Sequence, residues 1–299
     1  SRCVPVDEQA GKPKMPITIS AVGAQIPDDS VIHLDYEDEQ SLSESDVIIF
    51  DPDFGPAWKT EFGTSTFQGL PNLTEDASFQ LRDRLKFWHS ELTDAINNGR
   101  TVIILLSKPR TVYVKTGEKR RSGTGRNQKV TTLVDSVSSW DALPFKFEST
   151  RVHRGSKLKT TRELAELTSF WSSFSDLFRY EASIRWKDLA AGIVTPGNRA
   201  AGGIARFKHG NVVLLPATHY PDSFMKEHDE GNFFALEEGT YFSWTNEAQQ
   251  HGKRFVASVA RLHRELRRGA QQTPAPTWAD RQTYQGTDEK SLLAQFTRL

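Results

Sequence analysis

Asp46–Pro56 reads DVIIFDPDFGP, a short unbroken apolar run that ends in two carboxylates and breaks on proline and glycine. The run over Asp46–Phe50 is continuous rather than alternating, is rich in β-branched residues and is bounded by turn formers. That is the pattern of a parallel strand covered on both faces. Thr101–Leu106 (TVIILL) and Asn211–Pro216 (NVVLLP) share it. Ile17–Val22 and Val31–Tyr36 are expected companion strands.

Between the first two core strands lies an amphipathic stretch, about Ala77–Asn98. Leu81, Leu85, Trp88, Leu92 and Ala95/Ile96 recur there at three- and four-residue spacing and predict a helix with one apolar stripe. Thr74 or Asp76 can cap its start, and Asn97-Asn98-Gly99 ends it. Strand, helix and strand in this order predict a right-handed crossover and a parallel sheet. A second helix is expected over about Asn246–Arg268, capped by Thr245, with Phe255, Val259, Leu262 and Leu266 inward. Arg264, Arg267 and Arg268 then fall in its last turn, where the helix dipole favours cations. The fold class expected is α/β: a three-layer sandwich with a mostly parallel central sheet and a β-rich insertion.

The 299 residues, 37% of them hydrophobic, suit one large domain with an insertion. Residues 16–268 are expected to form it, with the insertion at about 110–186. The segments RTVYVK and KVTTLV predict a long hairpin, PFKFESTRVH a half-exposed strand and Thr161–Phe174 a helix. Ile204–Phe207 and Val212–Leu215 flank a tight turn and predict a second hairpin. Residues 1–15 read as a flexible leader, and residues 269–299 as an irregular tail with a short helix near 289–296. The chain begins with Ser, so a start upstream, or at Met15, is expected.

Lys+Arg and Asp+Glu both total 38, so no global field drives binding to nucleic acid or membrane. Cys3 is the single cysteine, which excludes an intramolecular disulfide and a multi-cysteine zinc site. No apolar stretch approaches the roughly 18 residues of a membrane span, and no signal peptide is visible, so a soluble, cytoplasmic protein is expected. Locally the charge is uneven. Residues 28–46 carry eight acids and no Lys or Arg, while residues 115–129 carry six bases against Glu118. The two segments either face each other or are separately solvated.

In an open α/β sheet, ligands sit outside the carboxyl ends of the strands. That rule nominates Asp51 and Asp53 after the first core strand and Ser107 and Lys108 after the second. Thr218, His219, Tyr220 and Asp222 follow the third. Asp51, Asp53, Lys108 and His219 are candidate catalytic residues, with Asp51 and Asp53 as metal ligands through oxygen, on a phosphate or acyl substrate. Asp-Pro-Asp is equally a good turn, since Asp caps backbone amides and proline stops a ladder. Ser122–Lys129 (SGTGRNQK) lacks the Gly-Lys-Ser/Thr ending of a phosphate loop. Lys119, Arg120, Arg121 and Arg126 instead make it a candidate tip for contacting a polyanion or a partner.

SDVIIFDPD followed by an amphipathic helix, then NNGRTVIILL, and later GGIARFKHGNVVLLP, resemble the central strands of class I glutamine amidotransferase-like (flavodoxin-like) domains. The resemblance covers about Ile17–Leu106 and Gly202–Arg268. Active members of that superfamily use a cysteine at a strand-to-helix elbow, with a downstream histidine and glutamate. Here no cysteine follows Cys3, so the resemblance implies a module without amidotransferase activity. Bacterial proteins of this general layout are often encoded in genomic islands. The expected function is therefore a non-catalytic amidotransferase-like module that binds a partner or ligand and needs no cofactor. The alternative is a metal-dependent hydrolase of a phosphate ester, with Mg²⁺ or Mn²⁺ at Asp51 and Asp53. A third reading is nucleic-acid contact through the basic hairpin at 115–129.

Overall fold

The computed structural model describes residues 16–54, 66–123, 128–151, 157–161, 164–228, 234–237 and 240–272. The leader, the tail beyond residue 272 with its expected helix at 289–296, and Arg126 lie outside the described residues.

The chain opens with β1 (Ile19–Val22), β2 (Val31–Leu34) and β3 (Val47–Phe50), followed by a two-stranded hairpin of β4 (Thr66–Phe67) and β5 (Leu70–Pro71). Helix α1 (Glu75–Asn97) leads into β6 (Thr101–Leu106). A hairpin of β7 (Thr111–Ser122) and β8 (Lys129–Ser138) precedes β9 (Glu148–Arg151), β10 (Lys159–Thr160) and α2 (Ala165–Phe174). Then come β11 (Phe178–Arg179), β12 (Ala182–Arg185), β13 (Ala190–Val194), β14 (Ala200–Arg206) and β15 (Asn211–Thr218). A small sheet of β16 (Met225–His228), β17 (Phe234–Glu237) and β18 (Thr240–Trp244) leads to α3 (Asn246–Gln272).

The main sheet runs β10-β13-β14-β15-β6-β3-β1-β2. From β15 to β2 every pairing is parallel, and from β15 to β10 every pairing is antiparallel. The chain is thus a mixed α/β protein with one large mixed sheet, parallel from β15 to β2 and antiparallel beyond β15, and with three α-helices among the described residues. The three core strands read from the sequence are adjacent and in register.

Alternate residues of these strands divide between two apolar cores, as the period of two requires. Val22, Ile48, Phe50, Ile104 and Leu214 join the stripe of α1, from Leu81 to Ile96. Ala21, Val47, Ile49, Ile103 and Val213 join Leu167 and Phe170 of α2 and Phe255, Val259, Leu262 and Leu266 of α3. Burial on both faces is the reason these strands are apolar at every position.

The expected caps form. The Thr74 hydroxyl oxygen accepts from the Ala77 N–H at 3.3 Å, and the Thr245 hydroxyl accepts from the Ala248 N–H at 3.2 Å. Gly99 takes φ +81° just past α1, the left-handed conformation that ends a helix cheaply. Two ends differ from expectation. Helix α2 begins at Ala165 rather than Thr161. Helix α3 continues through Gly269 to Gln272, so Arg264, Arg267 and Arg268 are not in its last turn and the dipole does not account for them. Ala270, Gln271 and Gln272 are good helix formers, and no proline intervenes before Pro274.

The long hairpin forms as its own two-stranded sheet. Its base packs on α1 through buried Val112, Val114 and Val137, while Glu118–Ser122 is exposed. Strands β10 and β12 join the main sheet and β9 joins it through β12. The acidic segment turns toward α1 and its end: Glu39 pairs with Arg84 at 2.7 Å and Asp46 with Arg100 at 3.1 Å.

Candidate site at the carboxyl ends of β1, β3 and β6

The chain leaves β1 toward β2 on one side, whereas β3, β6 and β15 extend the sheet on the other. Strand order therefore switches between β1 and β3, and the crevice outside their carboxyl ends is where such sheets bind ligands. Gly23 follows β1 with φ +65°, and a Cβ there would lie 2.9 Å from the Asp51 carbonyl oxygen. The two chain exits therefore meet with only a glycine between them, tied by the Asp51 N–H donating to the Val22 carbonyl at 3.0 Å.

Asp51 stands at the end of β3. Its Oδ1 accepts from the Asp53 N–H at 3.0 Å and from the Ser107 hydroxyl, at the end of neighbouring β6, at 2.7 Å. Asp53 Oδ1 accepts from Arg110 Nε at 2.6 Å. Arg110 is itself placed by reciprocal backbone bonding: its N–H donates to Ser139 Oγ and its carbonyl accepts from the Ser139 N–H. The Trp140 indole N–H donates to the Ser107 carbonyl at 3.2 Å, and the Lys108 N–H to Glu181 Oε2 at 2.9 Å.

The floor is aromatic. Tyr36 packs against Phe50, Phe54 and Trp88. Among the described residues its buried hydroxyl has no hydrogen-bond partner, and burial, reinforced by the Asp141 and Asp51 carboxylates, strongly disfavours its ionisation. The same burial pushes the Asp51 carboxyl up to about 6, against the opposing pull of the Asp53 amide and Ser107.

The structure thus brings Asp51, Asp53 and Ser107 together and adds Arg110, which sequence reasoning left at the mouth of the insertion. An ion pair across 57 positions leaves no local signal. Lys108 and His219 lie at the ends of their strands with exposed side chains. The His219 N–H donates to the Leu177 carbonyl at 2.7 Å. Among the described residues, no hydrogen bond or ion pair joins His219 or Lys108 to Asp51. Nor do the described residues gather three or more His, Cys, Asp or Glu side chains around a point where a metal could sit. Lys119, Arg120 and Arg121 are exposed on β7.

The raised Asp51 carboxyl gives a signed prediction. A folded-state value near 6 against an unfolded value of 3.8 means the folded chain holds the extra proton between them. Stability therefore falls as pH rises from 4 to 6. Asn at 51 keeps an oxygen for the Asp53 amide and the Ser107 hydroxyl and removes the charge. Asp51→Asn is expected to be about 1–2 kcal/mol more stable than wild type at pH 8, with the gain vanishing near pH 4. Urea unfolding at the two pH values checks it, and a mutant less stable at pH 8 would refute the assignment.

Comparison with family models, with curated proteins and with solved structures found no match to this chain. Among the described residues, no helix is long and apolar enough to cross a membrane.

Proposed function

We propose that the chain is a non-catalytic, amidotransferase-like α/β module that binds a ligand or partner at the crevice formed by Gly23, Asp51, Ser107 and Arg110. The observation that carries this reading is the engagement of both carboxylates: Asp51 caps an amide and a hydroxyl, and Asp53 is ion-paired. The parallel strand order, with strands of the first half leaving to opposite sides, supports the flavodoxin-like assignment. Placement of α1 in one core and of α2 and α3 in the other supports the three-layer sandwich.

The hydrolase reading keeps one observation in its favour. A carboxyl raised to about 6, in a site floored by the Tyr36 hydroxyl that makes no hydrogen bond among the described residues, suits acid–base work. Asp53→Asn separates the two. In a module, Asn leaves the turn intact and weakens the half-exposed ion pair with Arg110, so the melting temperature moves little and Mg²⁺ or Mn²⁺ affects neither form. A hydrolase that binds metal through Asp53 gains thermal stability with the ion by mass action, and the mutant does not. A metal-dependent shift in wild type that disappears in Asp53→Asn would overturn the module reading.

A further inference from the structure

Helix α3 carries Lys253, Arg254, Arg261, Arg264, Arg267 and Arg268 against only Glu247 and Glu265. Arg254, Arg261 and Arg264, with Ala257 and Ser258, line a groove of about 480 Å³ whose other wall is Ser173 and Phe174 at the end of α2. Arg254 and Arg261 are one heptad apart, so they share a face of the helix, and Arg268 continues the same stripe. At 1.5 Å per residue, Arg254 to Arg268 is a row about 21 Å long.

Among the described residues, none of Arg254, Arg261 and Arg264 is ion-paired, whereas Arg82, Arg84, Arg100, Arg110 and Arg206 each have a carboxylate. The polar contacts of the groove arginines stay within α3: Arg261 Nη2 to Ser258 Oγ at 3.5 Å and Arg264 Nε to the Ala260 carbonyl at 3.0 Å. Helix-dipole stabilisation acts within the last turn and so does not explain cations in the middle of the helix. We propose that the groove between α2 and α3 binds the phosphodiester backbone of a nucleic acid through Arg254, Arg261 and Arg264.

Three features select this occupant. The cations are arginines, whose planar fork matches phosphate oxygens, and the facing wall offers a serine hydroxyl. They are spread along a line rather than converging on one point, so a single phosphate cannot satisfy them, but a polymer can. A membrane surface would call for apolar side chains beside the charges. Among the described residues the exposed large hydrophobics are Ile32, Phe67, Leu70, Phe79, Val130 and Leu133, none of them on α2 or α3. Every nucleotide presents the same backbone phosphate, so binding through this row is independent of sequence. It does not depend on the reading of the strand-end crevice.

The test uses the whole chain and labelled random-sequence 20-nucleotide DNA, single-stranded and duplex, followed by fluorescence anisotropy across a salt series. Wild type is expected to bind, with affinity falling as salt rises. The triple variant Arg254→Gln/Arg261→Gln/Arg264→Gln should keep the wild-type melting temperature, because these side chains are exposed. It should lose about 10- to 100-fold in affinity near 0.1 M salt, and the slope of log affinity against log salt should flatten by about 2 to 3. A second variant, Lys119→Ser/Arg120→Ser/Arg121→Ser, should change affinity less. No DNA binding by wild type at low salt would overturn the proposal. So would an unchanged slope in the helix variant, loss of binding only in the hairpin variant, or binding to anionic vesicles without binding to DNA.

Discussion

Trp88→Ala is expected to cost about 3–5 kcal/mol in chemical denaturation, the largest loss from any single side chain on α1. Trp88 is fully buried and contacts Tyr36, Phe50 and Phe87. Its indole N–H donates to the Tyr36 carbonyl at 2.8 Å, 52 positions away. The alanine variant therefore leaves a cavity and an unpaired buried carbonyl together. Trp88→Phe fills most of the space but still strands the carbonyl, so a smaller loss of about 1–3 kcal/mol is expected. Equal stability in both variants and wild type would mean that α1 does not pack as described. The consequence reaches the candidate site, since Tyr36 and Phe50 form its floor. A Trp88→Ala chain that still folds should lose part of the upward shift of the Asp51 carboxyl, because water enters beneath it.

What could be read from the sequence follows from which constraints are local. Strands β3, β6 and β15 were legible because burial on both faces forbids polar residues along a run, and α1 because its stripe repeats with the helical period. Strand β13, AAGIV, was not expected, because small residues and a glycine carry no contrast. The sheet of β16, β17 and β18 was missed for a similar reason: MKEH and FALE are too short and mixed to show a period. Strand order was not legible at all. Nothing in β1 records that it lies between β2 and β3, yet that order makes Gly23 and Asp51 neighbours. The aspartates were legible as strand-end carboxylates and illegible as partners. Ser107 and Arg110 lie 56 and 57 positions from them and could be assigned only once β3 and β6 were known to be adjacent. Glycine shows the same limit, since Gly99 ends α1 where φ is positive while Gly269 sits inside α3.

That contrast yields an experiment in which one chemical change has opposite signs at two positions of one helix. In an exposed helix interior, Gly→Ala stabilises by about 0.5–1 kcal/mol, because alanine has less backbone freedom to lose on folding. Gly269 has nothing within 4 Å of a would-be Cβ, so Gly269→Ala should show that gain. Gly252 is buried where α3 crosses the connection between β1 and β2. A Cβ there would lie 2.5 Å from the Pro27 carbonyl carbon and closer still to its oxygen. The connection cannot easily retreat. Ile26 is buried in the core, its N–H donates to His33 Nε2, and Asp28 Oδ1 accepts from both the N–H and the hydroxyl of Ser30. Relief must come from moving the helix, which would uncover Phe255 and Ala248 on either side. Gly252→Ala is therefore expected to destabilise by about 3 kcal/mol, the top of the usual overpacking range, despite its better helix propensity. Melting temperatures of the two variants should move in opposite directions from wild type. If Gly252→Ala is neutral or stabilising, α3 does not lie against Pro27. The connection that begins at Gly23 would then lose its support from α3, and the close approach of Gly23 to Asp51 at the ends of β1 and β3 would not be held as described.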